Sequence, residues 1–317
     1  ELARSIIDST GFEELSLSSL SSSDYTGIVE LLNELEQEFG DKYVKMSLPS
    51  LRADVSALQL ADRVSQSGGV TFAPEAGSQR LRNVINKRIT EEEILEAAAQ
   101  AVASGRRHIK LYFMIGLPTE TDQDLEELVF LVQKIVDLRR TAGNRKHAFK
   151  VTVSASTFVP KAHTPFQWEP QIALAEIKRR QDFLRQQFRK IKRVDFTWHE
   201  AEMSFLEAVF ARGDRRLAAV LERAYALGCK LDAWSDSFNF TLWEKAFAAE
   251  GIEPEKYAHY RPGLKERLPW EHIDTGLSGE FLRHEYQKAL QGEITHDCRE
   301  RGCVGCGLPD CPIRQVT

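Results

Sequence analysis

Hydrophobic and polar positions alternate most clearly in the second quarter of the chain. Val70 and Phe72 alternate as in a short strand, which ends at Pro74-Glu75 and turns on Gly77. Thr90 and Glu93 have the spacing of a helix capping box. Behind them Ile94, Leu95, Ala98 and Val102 recur at helical intervals, and Gly105 stops the run. Ile109, Leu111, Phe113 and Ile115 then alternate as a second strand, broken at Gly116-Leu117-Pro118. The pattern predicts a βαβ unit. Parallel strands joined this way present ligand-binding groups at their carboxyl ends. Glu75 and Ser78 leave one such end, and Gly116 to Glu120 leaves the next.

The flanking segments repeat the theme. A half-helix opens the chain at Glu1, and Leu15 and Leu17 alternate with serines in a strand from Glu14 to Ser19. Asp24 precedes an amphipathic helix carrying Ile28, Leu31, Leu32 and Leu35, and reads as its cap. Tyr43 to Leu48 is the next strand. Asp122 to Arg140 is a helix with Leu125, Leu128, Val132, Ile135 and Val136 on one face, and Phe149 to Phe158 is a further strand. Strands thus recur near positions 14, 44, 70, 110 and 150. Such alternation predicts an α/β fold, a parallel sheet with helices outside, open or closed as a barrel. Five strands are too few for an eight-stranded barrel and fit a partial six-stranded one.

Beyond Phe158 the pattern becomes mostly helical. Val159-Pro160-Lys161-Ala162-His163-Thr164-Pro165-Phe166-Gln167-Trp168 is held extended by its prolines, its aromatics suited to plug a barrel mouth. Ile172 to Arg193 is a helix rich in basic residues, with Lys178, Arg179, Arg180, Arg185, Arg189, Lys190, Lys192 and Arg193. Such a run is a solvated face or a contact for RNA or an acidic partner. Val194 to Trp198 has the look of a short strand. In Arg212-Gly213-Asp214-Arg215-Arg216, Gly213 breaks one helix and Asp214 caps the next. Two adjacent arginines at a helix start oppose the macrodipole and call for an anion or a carboxylate partner. Trp234, Phe238, Phe240, Trp243 and Phe247 read as a helical core stretch, and Glu280 to Leu290 as a last helix.

Composition narrows the function classes. The chain has 317 residues, 42% hydrophobic and 28% charged, with net charge −5. That balance argues against a bulk nucleic-acid or membrane-surface binder. No apolar run reaches membrane-span length and no signal peptide opens the chain, so a cytoplasmic protein is expected. Of five cysteines, four lie close together as Cys298-x4-Cys303-x2-Cys306-x4-Cys311. Glycines between them let short loops wrap one centre, either Zn or an Fe-S cluster. Unliganded reduced thiols are the alternative.

Glu75-Ala76-Gly77-Ser78 after one strand and Gly116-Leu117-Pro118-Thr119-Glu120-Thr121 after the next resemble the radical-SAM superfamily, in its cobalamin-binding branch. Ala76 and Thr119 depart from the usual residues there. Phe158 to Trp168, with its Pro-Lys and Thr-Pro-Phe-Gln-Trp, is similar to the segment that follows the last barrel strand in that branch, and the Arg212 to Arg216 stretch also matches. The resemblance implies a TIM-like (βα)6 barrel with S-adenosylmethionine (SAM) bound at its strand ends. A CxxxCxxC loop after the first strand would hold a 4Fe-4S cluster that cleaves SAM to a deoxyadenosyl radical.

No CxxxCxxC occurs in this chain. The expectation is therefore a barrel lacking its first strand over residues 1–168, a helical extension over 169–297 and a Cys-rich tail over 298–317. The cluster loop and a cobalamin domain would lie upstream. The resemblance implies Glu75 and Ser78 as SAM contacts and Gly116 as a point of close backbone approach. Ser22 and Arg52 are further candidates at neighbouring strand ends: Ser22 by its hydroxyl, Arg52 by forking a carboxylate. Their ordinary alternatives are a helix cap for the serines and a pair with Asp54 for Arg52. The expected chemistry is methyl transfer to an unactivated carbon or a radical rearrangement. The competing reading is a non-catalytic RNA- or protein-binding module with a structural Zn tail.

Overall fold

The computed structural model describes residues 1–17, 25–42, 44–47, 69–141, 149–311 and 313. Two short strands, β1 (Glu14–Ser16) and β2 (Lys45–Ser47), pair in parallel. Helices α1 (Leu2–Thr10) and α2 (Ile28–Phe39) share a small core with them, through Ile7, Leu15, Leu32, Phe39 and Met46. The cap position of α2 falls on Gly27, three residues beyond the expected Asp24, because the hydrophobic face of the helix starts only at Ile28.

The larger sheet has four parallel strands in sequence order: β3 (Val70–Glu75), β4 (His108–Ile115), β5 (Lys150–Thr157) and β6 (Val194–Trp198). Between β3 and β4 lie a short helix α3 (Gln79–Val84) and α4 (Glu91–Ala103). The Thr90–Glu93 capping box is formed in full, and Ile94, Ala98 and Val102 are buried as expected. Helix α5 (Asp122–Thr141) joins β4 to β5, and α6 (Leu174–Phe188) joins β5 to β6. The main core lies between sheet and helices. Phe72, Ile109, Leu111, Val151 and Val153 meet Ile94, Ala98, Leu128, Leu131 and Leu184 there.

Two expectations change. The sheet does not end near residue 168, since Val194 to Trp198 forms its fourth strand and pairs with Val151 to Ala155. Phe196 packs on Phe188 and Trp198, which fixes β6 against α6 from outside. Among the described residues the strands form two separate hydrogen-bonded sheets rather than one barrel wall.

The remaining helices are α7 (Ala201–Ala211), α8 (Leu217–Leu227), α9 (Phe240–Ala249), α10 (Glu255–Ala258), α11 (Gly279–Gln291) and α12 (Cys298–Arg301). A second core gathers Val159, Phe205, Val209, Val220, Trp243 and Phe247. Trp234, expected in this core, is 66% exposed because the helix begins only at Phe240. Trp168 from the Pro-rich segment is buried against Leu268, Trp270, Leu282 and Tyr286. Tyr286 donates to the buried Glu169 at 2.5 Å, and Arg261 pairs with the same carboxylate at 2.7 Å. The Tyr286 contacts fasten α11 to the end of the Pro-rich segment.

Candidate functional site

The carboxyl end of β3 is distorted in a way that re-aims Glu75. Pro74 has no amide hydrogen to give the ladder, and the register against β4 slips by one residue between Phe72 and Glu75. Glu75 then takes φ 67°, a left-handed conformation that costs free energy in any residue with a Cβ. Strain of this kind concentrates at functional positions. Its carboxylate is half-buried and 3.5 Å from Lys87 Nζ. Burial raises the Glu75 carboxyl above the ordinary range, and Lys87 pulls it partly back.

Gly77 and Ser78 serve packing. A Cβ on Gly77 would lie 2.2 Å from Leu128 Cα, so only glycine lets this turn rest on α5. Ser78 is 1% exposed, and its hydroxyl accepts from Leu81 N as the cap of α3 and donates to Asp124 Oδ1 at 2.6 Å. Arg82, fully buried, donates to the carbonyls of Ala76 and Gly77 at 3.0 and 2.9 Å, and its Nε donates to Ile89 O. Desolvation lowers the Arg82 guanidinium below its usual range, yet three carbonyls hold it as a brace under the turn.

At the end of β4 the fit is similar. Gly116 has φ 78°, and an added Cβ would lie 2.9 Å from Ile172 Cδ1. Its amide donates to Glu120 Oε2 at 2.6 Å. Glu120 is also paired with the buried Arg180, whose Nε reaches Glu176 at 2.8 Å. Burial pushes the Glu120 carboxyl up to about 7, against the opposing pull of Arg180 and the Gly116 amide. Asp124 behaves oppositely. Burial raises it, but donors from Arg80, Ser78 and Thr121 outweigh that and hold it below the usual carboxylate range.

Of the sequence candidates, Glu75, Ser78 and Gly116 therefore sit at adjacent strand ends, and of these Glu75 alone carries a charged group, half-buried beside Lys87. Ser22 and Arg52 lie outside the described residues. Reading by motif missed Arg82, Lys87, Asp124, Glu120 and Arg180. Glu120 stood in the quoted motif, but its distant partner Arg180 looked like part of a basic surface.

The C-terminal segment returns to this region. Thr295 N donates to Asn86 Oδ1 at 3.0 Å, and Arg88 pairs with Asp297 at 2.9 Å. Asn86 and Arg88 flank Lys87, the partner of Glu75. Cys298 thus starts one residue beyond an anchor on the β3 side. Cys298, Cys303, Cys306 and Cys311 are all free thiols, partly exposed. Among the described residues no group of three or more His, Cys, Asp or Glu side chains stands close enough to hold a metal ion. The four cysteines do not form an assembled site in this conformation.

The first half of the basic run is engaged within the chain. Lys178 pairs with Glu202, Arg179 with Asp122 and Glu176, Arg180 with Glu120 and Glu176, and Arg185 with Asp182. The helix itself ends at Phe188, so Arg189 to Arg193 lies past it. No helix among the described residues is long and apolar enough to cross a membrane.

Against known proteins, residues 1–132 match the family model described as Radical SAM superfamily, a stretch that takes in β1 to β4 and the start of α5. Over 199 residues the chain is 36% identical to an uncharacterized protein of Methanocaldococcus jannaschii. That alignment covers 63% of this chain and 41% of the relative, so the chain spans about two fifths of that protein's length.

Proposed function

We propose that the β3 and β4 ends form the SAM-binding part of a radical-SAM enzyme whose cluster ligands lie outside these 317 residues. The observation that carries this is the conjunction of the family domain with a strained, half-buried Glu75 at a parallel-strand carboxyl end. In such an enzyme a reduced 4Fe-4S cluster supplies the electron that opens a carbon–sulfur bond of SAM. Glu75 would accept hydrogen bonds from the ribose hydroxyls or the ammonium group. Ser78 and Gly116 hold the turns, Ser78 by its cap and Asp124, Gly116 through Glu120.

The resemblance of Phe158 to Trp168 extends the proposal to cobalamin, bound by a separate domain, and to methyl transfer or a radical rearrangement. For the Cys-rich tail we propose Zn or an auxiliary Fe-S cluster, taken up with a local rearrangement that brings the thiolates together. Cytoplasmic location and an RNA or acidic partner for the Arg189 to Arg193 end of the basic run are parts of the same reading.

The test is SAM turnover. Protein carrying its cluster ligands should form deoxyadenosine when reduced with dithionite in the presence of SAM. Protein that carries a reduced cluster and neither binds nor cleaves SAM contradicts the proposal.

A further inference from the structure

Three segments of the helical region enclose a cleft of about 840 Å3. They are the Pro-rich segment at Ala162, the turn from Ala211 to Arg215, and the loop from Arg267 to Ile273. None of its lining residues belongs to the strand ends around Glu75. A volume of this size is in the range that accommodates a drug-sized ligand, roughly 300–1,000 Å3.

The charges in the cleft are unbalanced. Arg212 is buried and spends its guanidinium on backbone carbonyls, including Tyr260 O at 2.6 Å. Arg216 is taken by Asp214, with Nη2 to Oδ2 at 2.6 Å, and Asp214 also accepts from the Arg216 amide at 2.9 Å. That satisfies one of the two adjacent arginines at this helix start. Arg215 and Arg267 both line the cleft, and neither makes an ion pair or a side-chain hydrogen bond among the described residues. Arg215 also precedes the first turn of α8 (Leu217–Leu227), whose positive dipole end raises the local potential further. His272 uses Nδ1 on Pro269 O at 3.0 Å, so Nε2 is the ring nitrogen left for another partner.

The loop that carries Arg267 is also apolar and fixed. Trp270, itself almost buried, is held by its Nε1 on Gln167 Oε1 at 2.7 Å, and Pro269 and the half-exposed Ile273 extend the wall beside it. Arg215 and Arg267 are exposed guanidiniums on two of the cleft's three segments, and a guanidinium fork suits the oxygens of a phosphate. A lone inorganic anion would leave most of the cleft and its apolar wall unfilled.

We propose that this cleft binds an organic phosphate, with the phosphate on Arg215 and Arg267 and a planar ring on the wall around Trp270. Neither the cluster nor SAM is needed for it, so it stands or falls apart from the radical-SAM reading.

Calorimetric titration of the 317-residue chain with ADP, and separately with inorganic pyrophosphate, tests it. ADP should bind saturably, and pyrophosphate more weakly for lack of the wall. Arg215→Gln and Arg267→Gln should each weaken ADP binding by about tenfold or more, the loss of one charge-assisted contact. Arg223→Gln, on α8 and outside the cleft lining, removes an exposed arginine paired with Glu250 at the end of α9 and should leave binding unchanged. Thermal melts of the two cleft variants should coincide with the parent, since neither cleft arginine makes an ion pair or side-chain hydrogen bond among the described residues. Absence of saturable binding for both probes overturns the proposal, as does ADP binding that survives the double arginine change. Saturation by a single-stranded RNA with no ADP binding also overturns it, assigning the cleft to a polynucleotide.

Discussion

Ser78 Oγ donates to Asp124 Oδ1 at 2.6 Å, inside the protein and across 46 residues of sequence. The bond links the turn after β3 to the first turn of the helix after β4. The same Asp124 carboxylate accepts from Arg80 at 2.5 Å and from the amide and hydroxyl of Thr121 at 2.7 Å each. The ends of two neighbouring strands are thereby held in one frame.

Ser78→Ala removes both the α3 cap and one donor to a buried carboxylate. Urea unfolding should show a loss of about 1–3 kcal/mol. A loss below about 0.5 kcal/mol, the range of ordinary surface changes, would mean that the turn is not braced through Asp124.

Gly77→Ala is a harsher change, because the new methyl meets the backbone of Leu128 and not a yielding side chain. We expect a destabilisation of at least about 2 kcal/mol, or insoluble protein. A melting temperature equal to the parent's would show that α5 does not pack on this turn.

Glu120 should make stability fall as the solution is made more basic. Its carboxyl holds a proton in the folded protein up to about 7, whereas the unfolded value is about 4.5. The folded state therefore binds more protons between those values. The contribution is fully present below pH 4.5 and is lost as pH rises through 7, on the order of 3 kcal/mol. Glu120→Gln should flatten that part of the profile when denaturation is compared at pH 5 and pH 8. An unchanged slope in the variant would place the pH dependence elsewhere.

Much of the β3–α4–β4 unit was legible because its signals are local: alternating Val70 and Phe72, the Thr90–Glu93 box, and the run Ile109 to Ile115. Sheet membership of Val194 to Trp198 was not, since a strand is placed by what it pairs with, and its own side chains are only half-buried. The site was legible in part. Glu75 could be picked out at a strand end, but its left-handed conformation depends on the slip beside Pro74. Gly77, Ser78 and Gly116 stand in the motifs, but what each touches in the fold was not legible. Their neighbours Leu128, Asp124 and Glu120 come from other elements or turns, and no spacing rule names the first two. Arg82 and Arg180 were hidden for a simpler reason, because arginines on amphipathic helices ordinarily face water.

The tail makes a separate prediction. Arg88 and Asp297 anchor the chain just before Cys298, which leaves the four thiols on a tethered segment. Protein purified without oxygen should contain about one Zn per chain, as a four-thiolate site requires, or iron with labile sulfide that is lost on Cys303→Ala. If neither metal is found, the cysteines are not a site.

The central claim is that Glu75 holds SAM at the end of β3. Its most direct test is the dissociation constant for SAM, measured by calorimetry on protein that includes the cluster ligands, for the parent and for Glu75→Ala. Loss of one charge-assisted contact, roughly 1.5–3 kcal/mol, predicts binding weaker by about tenfold or more. An unchanged dissociation constant in a variant that melts like the parent would contradict the account.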